Sequence, residues 1–140
     1  MPAAHYSGMK KQTLSPRNAF TLVEIMIVVS IIALLAAIAV PSFLRARKRS
    51  QASRILNDLR MIDAAVDQYA IETTKSSGAA VAVSDWQNYV KKGSNLYVTG
   101  ADIFGDSYGP QSVDTLPSVP AAAKASLSDV ADNSFWSPYQ

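Results

Sequence analysis

FTLVEIMIVVSIIALLAAIAVPSFL, the stretch from Phe20 to Leu44, decides the fold of this chain of 140 residues. From Ile25 to Val40 only Ser30 interrupts the apolar side chains. About 20 apolar residues are enough for a helix to cross the hydrocarbon core of a bilayer. The stretch therefore predicts a transmembrane helix at about residues 20–44.

A second apolar pattern follows the first with no glycine between them. Along residues 55–69 apolar side chains recur at steps of three and four, the spacing of one helical face; they are Ile55, Leu59, Ile62, Val66 and Tyr69. We therefore expect a single helix from about Phe20 to Thr73, kinked at Pro41, because proline cannot donate a backbone hydrogen bond. Its second half is amphipathic and needs a cover.

Residues 75–140 are expected to supply that cover as a small loop-rich cap. The segment 84–87 fits a capping box, which predicts a short helix that ends at Gly93. Short antiparallel strands are expected at 95–99 and 108–113, and a helical turn or two at 121–127. Three aromatic residues close the chain and are expected to pack down: Phe135, Trp136 and Tyr139. The predicted fold class is α+β.

The charges follow an order along the chain. Residues 1–19 carry three basic side chains and no acid, residues 45–54 hold five basic side chains, and residues 76–140 hold three lysines against six aspartates. This order suits a protein that meets a membrane at one end and water at the other. We expect residues 1–19 to be an unstructured leader, with Met9 as a second plausible start. No nucleic-acid partner is expected, because no broad basic face is present.

The composition argues against an enzyme. The chain has no cysteine, which excludes disulfides, thiolate metal sites and thiol catalysis, and its one histidine, His5, lies in the leader. Hydrolases therefore lose their usual base or metal ligand. Neither a glycine-rich phosphate loop nor a metal-ligand spacing is present. We expect no catalytic residue, no metal ligand and no cofactor.

Glu24 is the residue that needs an explanation, because a carboxylate at the mouth of an apolar helix is costly in a membrane. One interpretation makes it a first-turn acid that is favourable to the helix dipole. The other pairs it with an α-amine created by cleavage before Phe20, on the same chain or on a neighbouring subunit. The residues alone leave both interpretations open.

The segment Ala19-Phe20-Thr21-Leu22-Val23-Glu24, followed by the apolar run and Pro41, resembles the prepilin signature of type IV pilins and type II secretion pseudopilins. The resemblance implies that a prepilin peptidase cleaves between Ala19 and Phe20 and that Phe20 is then N-methylated. It implies that Glu24 guides assembly and that Pro41 kinks the helix. Alanine at position 19 departs from the glycine that is usual in the family.

The resemblance implies a structural subunit of a type II secretion pseudopilus or a type IV pilus. Such a subunit would be stored in the bacterial inner membrane, with the cap at 75–140 in the periplasm and the helix at 20–74. It would polymerise alone or with other pilins, helped by an inner-membrane assembly platform. A membrane-anchored periplasmic protein with a small binding cap is the alternative function.

Residues 102–108 are similar to a turn of the major type II secretion pseudopilins, with Ile103 and Ser107 at the two proline positions of that turn. Some of those pseudopilins bind calcium in a C-terminal loop. Oxygen donors of the right kind follow here, namely Ser126, Ser128, Asp129 and Asp132. Calcium is therefore kept as an option beside the expectation of no cofactor.

A secretory signal peptide is a competing interpretation of the start of the chain. It would also have a basic start and an apolar run, and Ala37-Ile38-Ala39 matches its small-x-small cleavage site. Against it, the apolar run is too long and the helical pattern continues past the supposed cut.

The basic cluster Arg45–Arg49 has two interpretations of its own, contact with lipid headgroups in the membrane or capture of DNA. Neighbouring subunits of a packed fibre would cover part of this cluster, which weighs against the capture of DNA.

Overall fold

The computed structural model describes Met1 and residues 19–140 of the chain. The chain divides into two compact units, Met1–Ile38 and Ala39–Gln140. The predicted leader at 1–19 lies outside the described residues apart from its two ends.

Helix α1 runs without interruption from Leu22 to Thr73, 52 residues in all. This confirms the single long helix that the two successive apolar patterns predict. Its C-terminal end is closed by Thr74, which adopts the left-handed conformation with φ +53°. The backbone N–H of Lys75 then donates to the Ala70 carbonyl at 3.0 Å, which satisfies one of the last helical carbonyls.

The core of the second unit lies against one face of α1, as the amphipathic pattern predicts. Ile55, Leu59 and Ile62 are fully buried, and Val66 is 3% exposed. Tyr69 is half-buried and packs edge-to-face on Tyr89, with ring centroids 6.0 Å apart. The largest side chains that cover this stripe are fully or almost fully buried: Trp86, Leu96, Leu127 and Trp136.

The cap consists of four short helices and one two-stranded sheet. In chain order the elements after α1 are β1 (Ala80–Val81), α2 (Val83–Gln87), α3 (Asn95–Thr99), β2 (Gln111–Ser112), α4 (Ala121–Ser126) and α5 (Asn133–Trp136). Strands β1 and β2 are antiparallel, with Ala80 opposite Ser112 and Val81 opposite Gln111. The predicted class, a long helix followed by a small α+β region, is confirmed.

Residues 95–99 form helix α3, so the strand predicted there is wrong. The Ser94 side chain accepts from the backbone N–H of Tyr97 at 3.1 Å and caps the start of the helix. Gly100 ends it in the left-handed conformation, φ +61°. In a five-residue segment these two local caps outweigh the strand preference of tyrosine, valine and threonine.

Two more local predictions need correction. Helix α2 begins at Val83 and ends at Gln87, so its N-cap, Ala82, lies two residues before the predicted one, and the helix stops well before Gly93. The Asp85 carboxylate accepts from the backbone N–H of Ala82 at 3.2 Å, which supplies half of a capping box two residues earlier than the predicted one. Of the strand predicted at 108–113, only Gln111–Ser112 forms a regular strand, which is β2.

The C-terminal aromatics pack down as predicted. Trp136 is fully buried and Tyr139 is 7% exposed, while Phe135 is half-buried and meets Trp136 edge-on at 5.1 Å. Asp132 caps the short helix α5 by accepting from the backbone N–H of Phe135 at 3.0 Å. The end of the chain therefore belongs to the core of the second unit.

Candidate assembly site at the start of the long helix

Helix α1 begins with a capping box formed by Thr21 and Glu24. The backbone N–H of Thr21 donates to Oε2 of Glu24 at 2.8 Å, and the Thr21 hydroxyl donates to the same oxygen at 3.0 Å. In return, the backbone N–H of Glu24 donates to the Thr21 hydroxyl oxygen at 3.2 Å. This reciprocal arrangement satisfies donors that the start of a helix otherwise leaves unpaired.

Thr21 is a residue that the sequence interpretation missed. The Thr-x-x-Glu pattern directly before an apolar helix is the signature of a capping box, and it could have identified the pair. Glu24 therefore has hydrogen-bond donors within its own chain. Both donors of Thr21 bond Oε2, so a second chain that contacts the carboxylate can join these donors or replace them.

The predicted cleavage position lies just before the helix. Ala19 and Phe20 are both exposed and precede the first helical residue, and the Phe20 side chain is 81% exposed. A peptide bond outside the helical hydrogen-bond ladder can be extended into another protein without melting a turn. The geometry is compatible with cleavage here, and cleavage and N-methylation remain predictions.

The apolar half of α1 is left uncovered by the residues that the structure describes. Every residue from 19 to 44 is exposed, including large side chains such as Ile32, Leu34 and Phe43. Among the described residues, α1 is the one helix that is long and apolar enough to cross a membrane, by length and composition. Ser30 adds no unpaired polar group, because its hydroxyl donates to the Met26 carbonyl at 2.7 Å.

Pro41 lies inside α1 without ending it. Because proline has no backbone N–H, it cannot donate to the carbonyl of Ala37 one turn earlier. The next residue, Ser42, donates its hydroxyl to the Ala39 carbonyl at 2.9 Å. A kink at Pro41 remains a prediction.

The basic cluster that follows contacts the C-terminal loop of the cap. Nζ of Lys48 lies 3.0 Å from Oδ1 and 2.9 Å from Oδ2 of Asp129, and this hydrogen-bonded ammonium lowers the pKa of the Asp129 carboxyl. The Arg49 guanidinium lies 5.7 Å from the centroid of the Phe135 ring, within cation–π distance. Arg45 and Arg49 line one side of a cleft of about 660 Å³ against this loop.

The oxygen donors considered for calcium are already in use. The Asp129 carboxylate faces Lys48, and Oδ1 of Asp132 accepts from the Ser134 hydroxyl at 2.7 Å and from the Phe135 backbone N–H. The Ser128 hydroxyl donates to the Ala125 carbonyl at 2.9 Å. Calcium takes six to eight oxygen ligands, and the described residues contain no group of three acidic or histidine side chains that could hold a metal ion. Three of the four donors therefore have other partners in this structure, and calcium binding by the loop stays a prediction to be tested.

The turn at 102–108 is organised by the buried carboxylate of Asp102. Its Oδ1 accepts from the backbone N–H groups of Phe104 at 2.8 Å and of Asp106 at 2.9 Å. Gly105 completes the turn with φ +93°, a conformation that glycine adopts without strain. Ile103 and Ser107, which stand at the two proline positions of the similar turn, are half-buried and exposed respectively.

Asp58 joins this turn to α1. The Tyr108 hydroxyl donates to Oδ2 of Asp58 at 3.3 Å, and both residues are 8% exposed. Burial raises the pKa of the Asp58 carboxyl, and the positive charge of Arg54 opposes part of that rise. Burial beside Asp58 likewise raises the pKa of the Tyr108 hydroxyl. No sequence signal pointed to the contact between Asp58 and Tyr108, because the two residues lie 50 positions apart.

The start of the chain matches a family model, and longer stretches of the chain are similar to known proteins. Residues 14–40 match the prokaryotic N-terminal methylation motif. Over 73 residues the chain is 40% identical to the type IV major pilin protein PilA of Myxococcus xanthus, a match that covers 51% of this chain and 33% of PilA. Over 104 residues it is 33% identical to fimbrial protein Q of Moraxella bovis, covering 63% of this chain and 66% of that protein.

A secretion protein is also similar. The chain is 29% identical over 59 residues to the type II secretion system core protein G of Klebsiella pneumoniae, covering 42% of each chain. No solved structure matches this chain at a significant level. The predicted resemblance to type IV pilins and type II secretion pseudopilins is confirmed. The similarity supports the predicted structural, non-enzymatic class. The chain spans only a third of the length of PilA. That this chain shares the function of its relatives is therefore a proposal.

Proposed function

We propose that this chain is a structural subunit of a type IV pilus or a type II secretion pseudopilus, stored in the inner membrane and polymerised into a helical filament. The observation that carries the proposal is the complete exposure of the apolar half of α1. Exposing so large an apolar surface to water would cost free energy. Lipid covers it in the stored subunit, and the same halves of neighbouring subunits cover it in the filament.

Processing comes before assembly in this proposal. A prepilin peptidase removes residues 1–19 by cleavage between Ala19 and Phe20, and the new amine of Phe20 is methylated. The match of residues 14–40 to the methylation motif supports this step. The intact mass of protein purified from membranes should equal a chain that begins at Phe20 plus one methyl group. A mature chain that begins at Val40 would instead indicate a secretory signal peptide.

Assembly depends on Glu24 in this proposal. Inside a filament the carboxylate loses contact with headgroups and water, and a charge in an apolar core is stable only beside an opposite charge. The nearest cation for it is the methylated amine of Phe20 on a neighbouring subunit. Contacts that repeat along the filament without closing into a ring then produce a fibre.

Partners and location follow from the same proposal. Besides copies of itself or other pilins, the chain meets the peptidase and an inner-membrane assembly platform, with the cap in the periplasm until assembly. The membrane-anchored binding protein remains the competing hypothesis. It would be processed and folded in the same way, but it would not form filaments.

Glu24→Val in an expressing strain tests the assembly role, with Ser30→Val as the matched control. Both changes remove a polar side chain from the apolar half of α1, but Ser30 bonds only to its own helix. We expect Glu24→Val to leave cleaved subunit in membranes and to abolish sheared filaments, while Ser30→Val keeps them. Normal filament yield from Glu24→Val would refute the pairing. Loss of the membrane-stored subunit would show that Glu24 acts in insertion.

A further inference from the structure

One face of α1 in the second unit has no cover among the described residues. It lies opposite the buried stripe and passes through Ser50, Ser53, Asn57, Ala64 and Ile71, all of them exposed. Steps of three, four and seven residues keep these positions on one side of a helix with 3.6 residues per turn. The uncovered face therefore extends for about six turns.

Charged side chains border this face along both edges, and their signs change along the helix. One edge carries Arg47 and Arg54 and, further along, Glu72; the other carries Arg49 and Arg60 and, further along, Asp67. Within an edge, successive positions are 7, 11 or 18 residues apart, and each of these spacings is close to a whole number of turns. Each edge is therefore basic toward its N-terminal end and acidic toward its C-terminal end.

Asp67 is the acid on these edges that lacks a partner. Its side chain is exposed and makes no hydrogen bond or ion pair to any described residue, and the same holds for Arg47. The Glu72 carboxylate, by contrast, already accepts from Gln68 at 3.1 Å and from the Tyr89 hydroxyl at 2.7 Å. A charge-complementary partner would thus gain most by meeting Asp67.

We propose that this face docks on a second copy of the chain, parallel and displaced along the helix, with Asp67 of one copy against the Arg47–Arg54 edge of the next. Side-by-side parallel helices bring one edge of the first against the opposite edge of the second, and Asp67 and Arg54 lie on opposite edges. The displacement is 13 to 20 residues, about 20–30 Å at 1.5 Å per residue. The proposal rests on the proposed function, because it requires parallel subunits.

Two parallel copies with no displacement along the helix are disfavoured by the charges on these edges. They would set Arg47 beside Arg49 of the neighbour and Glu72 beside its Asp67, and juxtaposed like charges are costly. The displacement also separates this contact from the one made by Glu24. A Phe20 amine that meets Glu24 of another copy requires a shift of four residues, about 6 Å. The two contacts therefore involve different neighbours in the filament.

Cysteine cross-linking of assembled filaments tests this register directly. The chain has no cysteine, so every disulfide comes from the introduced pair. The full chain carries Asp67→Cys with either Arg54→Cys or Arg47→Cys; the control carries Asp67→Cys with Glu72→Cys, which reports copies at the same level. In one helix the members of each test pair lie about 20–30 Å apart, too far for an internal disulfide.

We expect a ladder of disulfide-linked multimers, composed only of this chain by mass spectrometry, from at least one test pair and not from the control. Filaments that cross-link only through the control pair, or through no pair, would refute the register and leave the proposed function intact. A different protein in the cross-linked bands would refute the second copy as partner. If the unmodified chain forms no filaments, the proposed function fails first, and this inference fails with it.

Charge reversal supplies an independent measurement without cysteine. Asp67→Arg should lower filament yield several-fold, because arginine would then face arginine across the contact. Adding Arg47→Asp and Arg54→Asp to Asp67→Arg should restore the yield toward that of the unmodified chain. Equal yields from the single and triple variants would contradict a contact between these residues.

Discussion

Oε2 of Glu24 lies 2.8 Å from the backbone nitrogen of Thr21, so the acid at the start of the apolar helix closes its own first turn. In the single chain this hydrogen bond stabilises the carboxylate without a second subunit. The two interpretations of Glu24, a first-turn acid and an assembly residue, are therefore compatible. In the proposed filament the amine of a neighbour joins or replaces the donors of Thr21.

Thr21→Ala should loosen the first turn of α1, because it removes the hydroxyl that bonds the Glu24 backbone N–H. Loss of such a cap typically costs about 0.5–2 kcal/mol. Amide hydrogen exchange measured by mass spectrometry on the purified protein should therefore be about 2- to 30-fold faster at residues 22–25. Thr73→Ala serves as a control, since the Thr73 hydroxyl donates to the Tyr69 carbonyl at the other end of the helix. Unchanged exchange in the first turn would contradict the capping box.

Leu59→Ala should destabilise the cap strongly, because Leu59 is fully buried beneath it. Removing a large aliphatic side chain from a core costs about 2–5 kcal/mol. For a unit of this size we expect the Tm of the detergent-solubilised chain to fall by about 8 °C or more. Asn57→Ala is the matched control on the exposed face, and its Tm should stay near that of the unmodified chain. Equal Tm values for the two variants would place the stripe outside the core.

Asp58 should make the stability of the cap fall as pH rises. Burial raises its pKa in the folded chain, so the folded state holds a proton more tightly than the unfolded state. The contribution of Asp58 to the free energy of unfolding is therefore fully present below the ordinary aspartate pKa of about 4. It is lost as pH rises through the raised pKa of the folded chain. Asp58→Asn keeps an acceptor for the Tyr108 hydroxyl and should remove this slope from denaturant-unfolding free energies measured against pH.

Asp129→Asn is the control of opposite sign. The hydrogen-bonded ammonium of Lys48 lowers the pKa of Asp129, so its contribution is present above the ordinary aspartate pKa and is lost as pH falls through the lowered value. The effect should be small, because the pair is exposed. Two variants that change the pH profile in the same direction would contradict these assignments.

Calcium should leave the stability of the cap unchanged. Lys48 already faces the Asp129 carboxylate, and a divalent cation would have to displace that ammonium. We expect the same Tm in millimolar calcium and in a chelator, with inorganic calcium as the only addition. A higher Tm in calcium that disappears in Asp129→Asn would show that the C-terminal loop binds the ion.

The periodicity of the sequence by itself determined helix α1, with its apolar first half and its amphipathic second half. Helical hydrogen bonds are local, so the steps of three and four from Ile55 to Tyr69 predict which side is buried without knowledge of the partner. The exposed apolar run and the position of Glu24 are likewise local features. The capping role of Thr21 could also have been predicted from the sequence, because its partner Glu24 is three residues away.

Only the tertiary structure decided how the cap is built on this helix. Strand β1 pairs with β2 across an intervening helical segment, Tyr108 reaches Asp58 over 50 positions, and Lys48 reaches Asp129 over 81. Such contacts depend on loop closure and on which surfaces meet, and neither leaves a periodic signal in one sequence. For Asn95–Thr99 even the element type depended on its two ends, where Ser94 and Gly100 favour a helix over the strand that its side chains suggest.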